Sequence, residues 1–595
     1  MKKTRCFHRL FLSAVLIACY LAGFSTNFVF AESELTKPQA IKQLSSLINE
    51  ELADEEIGGI SISVIHGQST WYSNGFGYAD IEDEVEATAK TQYRIGAISS
   101  IFTAMLVLKL EQNGLLKLAD PISKYLPNLP FKTHNGKKYS ITIKQLLTHH
   151  SGLPLSVLKD SWSEAPEDFK QLFSSDRTIY LSQQPDTIYT YSNLGYSLLG
   201  LLIEKLTNLS FEQAIEKHLL NPMGMNQSYI SKPSNKSKTL AKGYRKGEEK
   251  EYLYPRDLPS LGLVTNANDM ALFVKQLFAI VNGSSGILSK KQINKMLRIQ
   301  NNHVAADLGK KVGLAWMVSG MDIKGGGQIF WRGGASLYHR SRIVLLPEKQ
   351  IGVVVLANEA KAWESTEKVS EKAIKLILET ELSIQQPGEQ EVEMSGVEPY
   401  GIKDNFAPHY SSFLGFIPIT TGANSIKAEL LGWTVIAKVD EFGWYDLQYD
   451  LFGFIPIDIS WITEIKVRPA KINDIRVLIV LYKGTQHLFA SHMELPDASP
   501  AWTNRLGEYR LANSDNLTET MEIESGELVV ENNKLFFLYE LPMFLSMELK
   551  VPLKVINRDM AIIPGMGTAL NEVVLVKKNG KKELLEFSGY LLEQD

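Results

Sequence analysis

The chain changes its pattern near residue 384, and that change limits its architecture more than any other feature. Before it, apolar residues recur at helical spacing and alternate with strand-like runs; after it, helix patterns almost vanish and short alternating strands take over. The joint, residues 384–397, is polar, acidic and punctuated by Pro387, Gly388 and Gly396, as a linker is. With 595 residues the chain is also too long for one core. The pattern predicts an α/β (α+β) unit over 32–383 and an all-β unit, a sandwich or a barrel, over 398–595.

Within the first unit the spacing predicts a terminal helix over 38–49 and strands over 60–66 and 69–78. A long helix follows from about Ala97 to Asn113, and further helices fit 143–148, 194–207, 211–218, 267–281 and 290–297. Strands return at 312–317, 328–331, 342–346 and 351–356, before a helix at 369–378. This order reads as an antiparallel sheet flanked by terminal helices, with a helical insertion between early and late strands. In the second unit Leu414–Ile419 recurs as Phe452–Ile457, which reads as two equivalent strand ends packing an aromatic into one core.

The first 31 residues read as an export signal. Lys2, Lys3, Arg5 and Arg9 precede an apolar run, and Val29-Phe30-Ala31 offers small residues for cleavage before Glu32. A lipid-anchored Cys19 after Leu16-Ile17-Ala18 and an uncleaved membrane anchor are the rival readings; any membrane association would pass through this segment. Cys6 and Cys19 are the only cysteines, so cleavage near Ala31 leaves no disulfide, no thiol nucleophile and no thiolate metal site. Loss of the four leader cations takes the formal charge from −5 to −9, which gives no reason to expect nucleic acid as a partner. The expected location is outside the cytoplasm, secreted or periplasmic at the cell envelope. No phosphate loop, dinucleotide fingerprint or metal-ligand cluster points to a cofactor.

The long helix begins in Tyr93-Arg94-Ile95-Gly96-Ala97-Ile98-Ser99-Ser100. A serine at a helix start with a lysine three residues on places both side chains on one face, so that the lysine can take the serine's proton. Here Ala97 and Ser100 stand at those two places. The stretch nevertheless resembles the serine β-lactamase and penicillin-binding-protein family, in particular the branch with class C β-lactamases, D,D-peptidases and related esterases. Further likenesses follow in order: Leu146-Leu147-Thr148-His149-His150-Ser151-Gly152-Leu153-Pro154, Tyr191-Ser192-Asn193, Asn221-Pro222-Met223-Gly224-Met225, Trp331-Arg332-Gly333-Gly334, Leu346–Lys349 and Val353–Asn358. The resemblance runs from about residue 37 to residue 380. It implies the family's α/β fold and, in multidomain relatives, a small lipocalin-type barrel after it.

The departures fall where the chemistry would happen. Ala97 has no oxygen with which to attack, and Ser100 lacks a lysine's charge. Arg332, in place of the third motif's lysine or histidine, offers a cation to a carboxylate but cannot act as a base. Tyr191 and Asn193 match the family's proton-transfer and amide-binding positions. The resemblance assigns the backbone N–H groups of Ala97 and Ala335 to an oxyanion hole beside Gly334. Ser99 is expected to face the core, and His149-His150 to stabilise their loop. The expectation is therefore a catalytically inactive relative whose Tyr191, Asn193, Arg332, Gly334 and Ala335 bind a small-molecule or peptide ligand ending in a carboxylate, peptidoglycan-related ligands included. The alternatives are an active hydrolase rewired around Ser100 or Tyr191, and an interaction protein working through its β unit.

Overall fold

The computed structural model describes residues 35–235, 237–318, 320–321, 323–387, 402–423, 425–440, 442–451, 455–457, 465–482, 484–513, 523–540 and 548–595. The expected export signal with Cys6 and Cys19, and the linker beyond residue 387, lie outside the described residues. Among the described residues no helix is long and apolar enough to cross a membrane.

Helix α1 (Lys37–Asp54) opens with Pro38 in its first turn and a capping box between Thr36 and Gln39, and it buries Ala40, Leu44 and Ile48 at four-residue spacing. It leads into the hairpin β1 (Gly59–His66) and β2 (Ser69–Asp80). Helix α2 (Ser99–Gln112) follows, then α3 (Asn193–Thr207) and α4 (Ala267–Val281). Strands β3 (Phe330–Ala335), β4 (Arg340–Leu346) and β5 (Ile351–Ala357) and helix α5 (Trp363–Leu382) complete the unit. All eight strands of its sheet pair antiparallel, in the spatial order 311–312, 317–318, β3, β4, β5, β1, β2, 85–86. The first strand of the unit thus pairs with the last, Ile62 opposite Val355.

Helices α1 and α5 cover one sheet face around Leu44, Ile48, Val353, Val355, Ile374 and Ile377. The other face carries α2, α3 and α4 around Phe102, Met105, Tyr196, Leu199, Phe273 and Val354. Helix α2 is buried on nearly every side, so it has no polar stripe, and its apolar length identifies it as a central rod. The expected strand over 312–317 is instead a tight hairpin, 311–312 against 317–318, with Ala315 at φ +67° in the turn. Helix α5 starts six residues earlier than its apolar pattern suggested, because its first turns hold Glu364 and the buried Ser365 and Thr366.

The all-β unit holds two sheets with separate cores. Strands 445–451 and 465–472 pair, which closes eight strands between residues 409 and 491 into an antiparallel barrel around Tyr410, Ile417, Ala437 and Leu478. A nine-stranded antiparallel sheet over 507–594 encloses Trp502, Tyr509, Phe537, Phe587 and Tyr590. The first copy of the repeat puts Phe416 at the joint of the two, its ring 5.0 Å from that of Phe536. Of the second copy, Phe452 to Phe454 lie outside the described residues.

Candidate functional site

The site forms where the start of α2 meets the end of β3. The chain leaves a short strand at Tyr93–Arg94, turns at Gly96 with φ +50°, makes one 3₁₀ turn and enters α2 at Ser99. A Cβ on Gly96 would stand 2.1 Å from the carbonyl oxygen of Ala335, and one on Gly334 would stand 1.9 Å from that of Ile95. Only glycine allows these two backbones to touch, and each also removes a side chain from the floor of the site. The approach brings Ala97 and Ala335, both half-buried, to one place.

Around this floor the two serines do structural jobs. Ser99 is buried, and its hydroxyl accepts the Leu263 N–H at 3.0 Å. Ser100 is also buried, and its hydroxyl donates to the Ala97 carbonyl at 2.6 Å, a bond back into the first helical turn. Ala97 contributes a methyl group.

Tyr191 and Asn193 are set by the cap of α3. Ser192 is the N-cap: its hydroxyl accepts the Gly195 N–H at 2.9 Å and donates to the Pro154 carbonyl at 2.6 Å. Its own N–H donates to His149 Nδ1 at 3.1 Å. The loop containing His149 therefore clamps the Tyr-Ser-Asn segment from both ends. Asn193 is half-buried, and its side-chain oxygen is buried with no partner among the described residues. Burial pushes the Tyr191 phenol up to about 12 although Arg332 opposes the shift, so the hydroxyl stays protonated near neutrality.

Arg332 lies buried on β3 among rings. Its Nη2 is 3.3 Å from His149 Nε2, its guanidinium carbon is 5.4 Å from the Tyr191 ring centroid, and it faces the Tyr189 hydroxyl. His149, with φ +59°, also packs its ring on Tyr189, Tyr191 and Tyr196. Burial first, and then the Arg332 charge, holds the His149 imidazole well below its ordinary range, so it is neutral. Since Nδ1 accepts from Ser192, the single ring hydrogen belongs on Nε2, and Arg332 finds no acceptor there. Among the described residues no carboxylate pairs with Arg332, and its Nε has no partner. A desolvated guanidinium with open donors is what a planar carboxylate fits.

Sequence reasoning missed three parts of this site. Tyr189 alternates with Tyr191 and so shares its direction, a period-two signal present in the sequence. Asp307 comes from 157 residues away to His150, its Oδ2 lying 2.7 Å from Nε2, a carboxylate that nothing near the histidine pair along the chain announces. Among the described residues no group of three or more His, Cys, Asp or Glu side chains is placed to hold a metal. Third, the connection between strands 560–562 and 573–579 of the nine-stranded sheet reaches the site: Thr568 Oγ1 accepts the Tyr191 N–H at 3.1 Å and the Gly565 carbonyl accepts Gln183 Nε2 at 3.1 Å.

Comparison with known proteins gives the family of the first unit. The family profile described as Beta-lactamase matches residues 44–374. "Protein flp" of Staphylococcus aureus (strain MRSA252) is 28% identical over 323 residues, 53% of this chain and 62% of that protein. The chain thus spans less than two thirds of the length of that relative. A "Beta-lactamase" of Escherichia coli (strain K12) is 29% identical over 360 residues, 55% of this chain and 91% of the relative. Among solved structures, an octameric penicillin-binding protein homologue from Pyrococcus abyssi aligns with TM-score 0.47 and 22% identity, over 84% of this chain and 98% of its own. A class C β-lactamase from Rhodobacter sphaeroides aligns with TM-score 0.47 and 22% identity, over 56% and 99%.

Proposed function

Since the chain belongs to the beta-lactamase family, we propose that it is an exported, catalytically inactive member that binds a carboxylate-terminated peptide or acyl ligand at the cell envelope. The observation that carries the binding half of this reading is Arg332: a buried guanidinium facing three tyrosines and a neutral histidine, with no acid partner among the described residues. The ligand's carboxylate takes that cation, and the Asn193 side chain and the backbone at Ala97 and Ala335 take its amide. Uniform binding of this kind needs no nucleophile.

The inactive half rests on Ala97, where a methyl group excludes an acyl-enzyme at that position. Ser100 offers little in its place, because its hydroxyl is buried and spent on the Ala97 carbonyl. Tyr191, kept protonated, is no ready base or nucleophile.

The test is intact-protein mass spectrometry after incubation with a fluorophosphonate and, separately, with a penicillin, beside the double variant Ala97→Ser/Ser100→Lys. The expected result is an unlabelled wild type and an acylated double variant. A stoichiometric adduct on the wild type overturns the reading in favour of a rewired hydrolase, and peptide mapping then asks first about Ser100 and Tyr191. A double variant that stays unlabelled while folded argues for a closed groove and a protein that works through its β unit.

A further inference from the structure

Lys310 stands at the seam between the first unit and the eight-stranded barrel. The turn Ala305–Asp307 packs against the barrel strand Thr485–Ser491. Ala306 and Leu308 share an apolar cluster with Ile188 of the first unit, Ile479 of the barrel and Met566 of the connection between strands 560–562 and 573–579. Leu308 itself has φ +53° and ψ −124°, a backbone conformation foreign to side-chain-bearing residues, and its burial in the seam holds it there. This strained residue sets where the chain sends Lys310, two positions on.

The Lys310 ammonium lies 4.6 Å from the centroid of the Tyr189 ring, whose hydroxyl faces Arg332. From the barrel side His487 faces it. The nearest acid, Asp307, is already committed. Its Oδ2 accepts from His150 Nε2 at 2.7 Å and from Asn301 Nδ2 at 2.5 Å, and its Oδ1 accepts the Tyr189 N–H at 2.6 Å. Among the described residues no carboxylate forms an ion pair with Lys310. Burial holds the His487 imidazole down to about 4, so it is neutral near pH 7 and adds no charge of its own. Two cations without acid partners thus share one tyrosine, Arg332 at its hydroxyl and Lys310 over its ring.

We propose that Arg332 and Lys310 form a two-cation cradle across Tyr189, walled by His487 of the barrel, that takes a ligand bearing two carboxylates. The two charges do not converge on one point, since one lies over the Tyr189 ring and the other faces its hydroxyl. That spacing suits two carboxylates along an acyl chain better than a single phosphate. The barrel then has a part in recognition, since the second anion sits against its wall. The inference rests on the reading of Arg332 as a ligand contact.

The test compares N-glutarylalanine with N-butanoylalanine, each in D and L forms; the two differ by one carboxylate. Calorimetric titration of the full chain should give the diacid at least about tenfold tighter binding, the size of one charge-assisted contact. Lys310→Met should bring the diacid to the monoacid's affinity and leave the monoacid unchanged, Lys310→Arg should keep the preference, and Arg332→Gln should weaken both. Equal wild-type affinities, or a Lys310→Met variant that weakens both probes alike, overturn the cradle and leave the Arg332 reading standing. If neither probe binds the wild type, the Arg332 reading falls, and the cradle with it.

Discussion

Acid should destabilise this protein through His339, and the amount can be worked from its surroundings. The ring is buried; its Nδ1 accepts the Arg94 N–H at 3.0 Å, and its other nitrogen serves the Ala241 carbonyl. Burial first, then the Arg94 and Arg340 charges, holds the group down to about 3. A proton on Nδ1 would break the bond to Arg94 and add a third cation beside two. In the unfolded chain the same side chain titrates near its ordinary 6.5. As pH falls below about 6.5 the unfolded state therefore binds a proton that the folded state refuses, and stability is lost progressively until about pH 3. At pH 5 the unfolded state gains about 1.5 decades of protonation, which corresponds to about 2 kcal/mol.

The perturbation is His339→Gln, which keeps an acceptor and a donor on the side chain but does not titrate. Urea unfolding, followed by tryptophan fluorescence, is measured at pH 7.5 and pH 5.0 for both proteins. The variant is expected to be less stable at pH 7.5 but to lose about 2 kcal/mol less on acidification. The difference between the proteins cancels the other histidines, including His149 and His487, whose values are also held down. Equal losses on acidification would refute the argument and mean that the folded state accommodates a protonated His339.

Gly96→Ala should cost at least about 2 kcal/mol, since a left-handed alanine is unfavourable and its methyl would meet the Ala335 carbonyl; thermal unfolding reads it, and a loss under about 0.5 kcal/mol would refute the tight approach. Asp307→Ala should cost at least about 3 kcal/mol in urea unfolding, because it strands the buried donors of His150, Asn301 and Tyr189.

How far the sequence could be read depended on the range of the signal. Helix α1 announced itself from Pro38 on through the helical apolar spacing of Ile41, Leu44, Leu47 and Ile48, and Ile351–Ala357 through an apolar run, because burial of a face leaves a local mark. The two sheets of the β unit were not separable, since a short alternating strand looks the same whichever core it serves. At the site, the positions of Ala97, Tyr191 and Arg332 were legible as motif places. Their surroundings were not: His149 meets Arg332 across 183 residues, Tyr191 meets Thr568 across 377, and neither contact leaves a local pattern in the chain.

The same division separates, on the proposed reading, what this site lacks from what it keeps. Attack and proton transfer belong to side chains, and on the proposed reading a methyl at Ala97 with a hydroxyl at Ser100 ends them at little structural cost: the hydroxyl simply bonds the nearest carbonyl. The approach of Gly96 to Ala335, the cap at Ser192 and the ring of aromatics around Arg332 belong to the fold, and removing any of them would disturb the core as well as the groove. Arg332 is the exception, because a buried cation without an acid partner is a burden on the folded state that packing does not explain. On the binding reading that burden is relieved when an anion arrives. The ligand then leaves only by dissociation, as nothing at Ala97 can consume it.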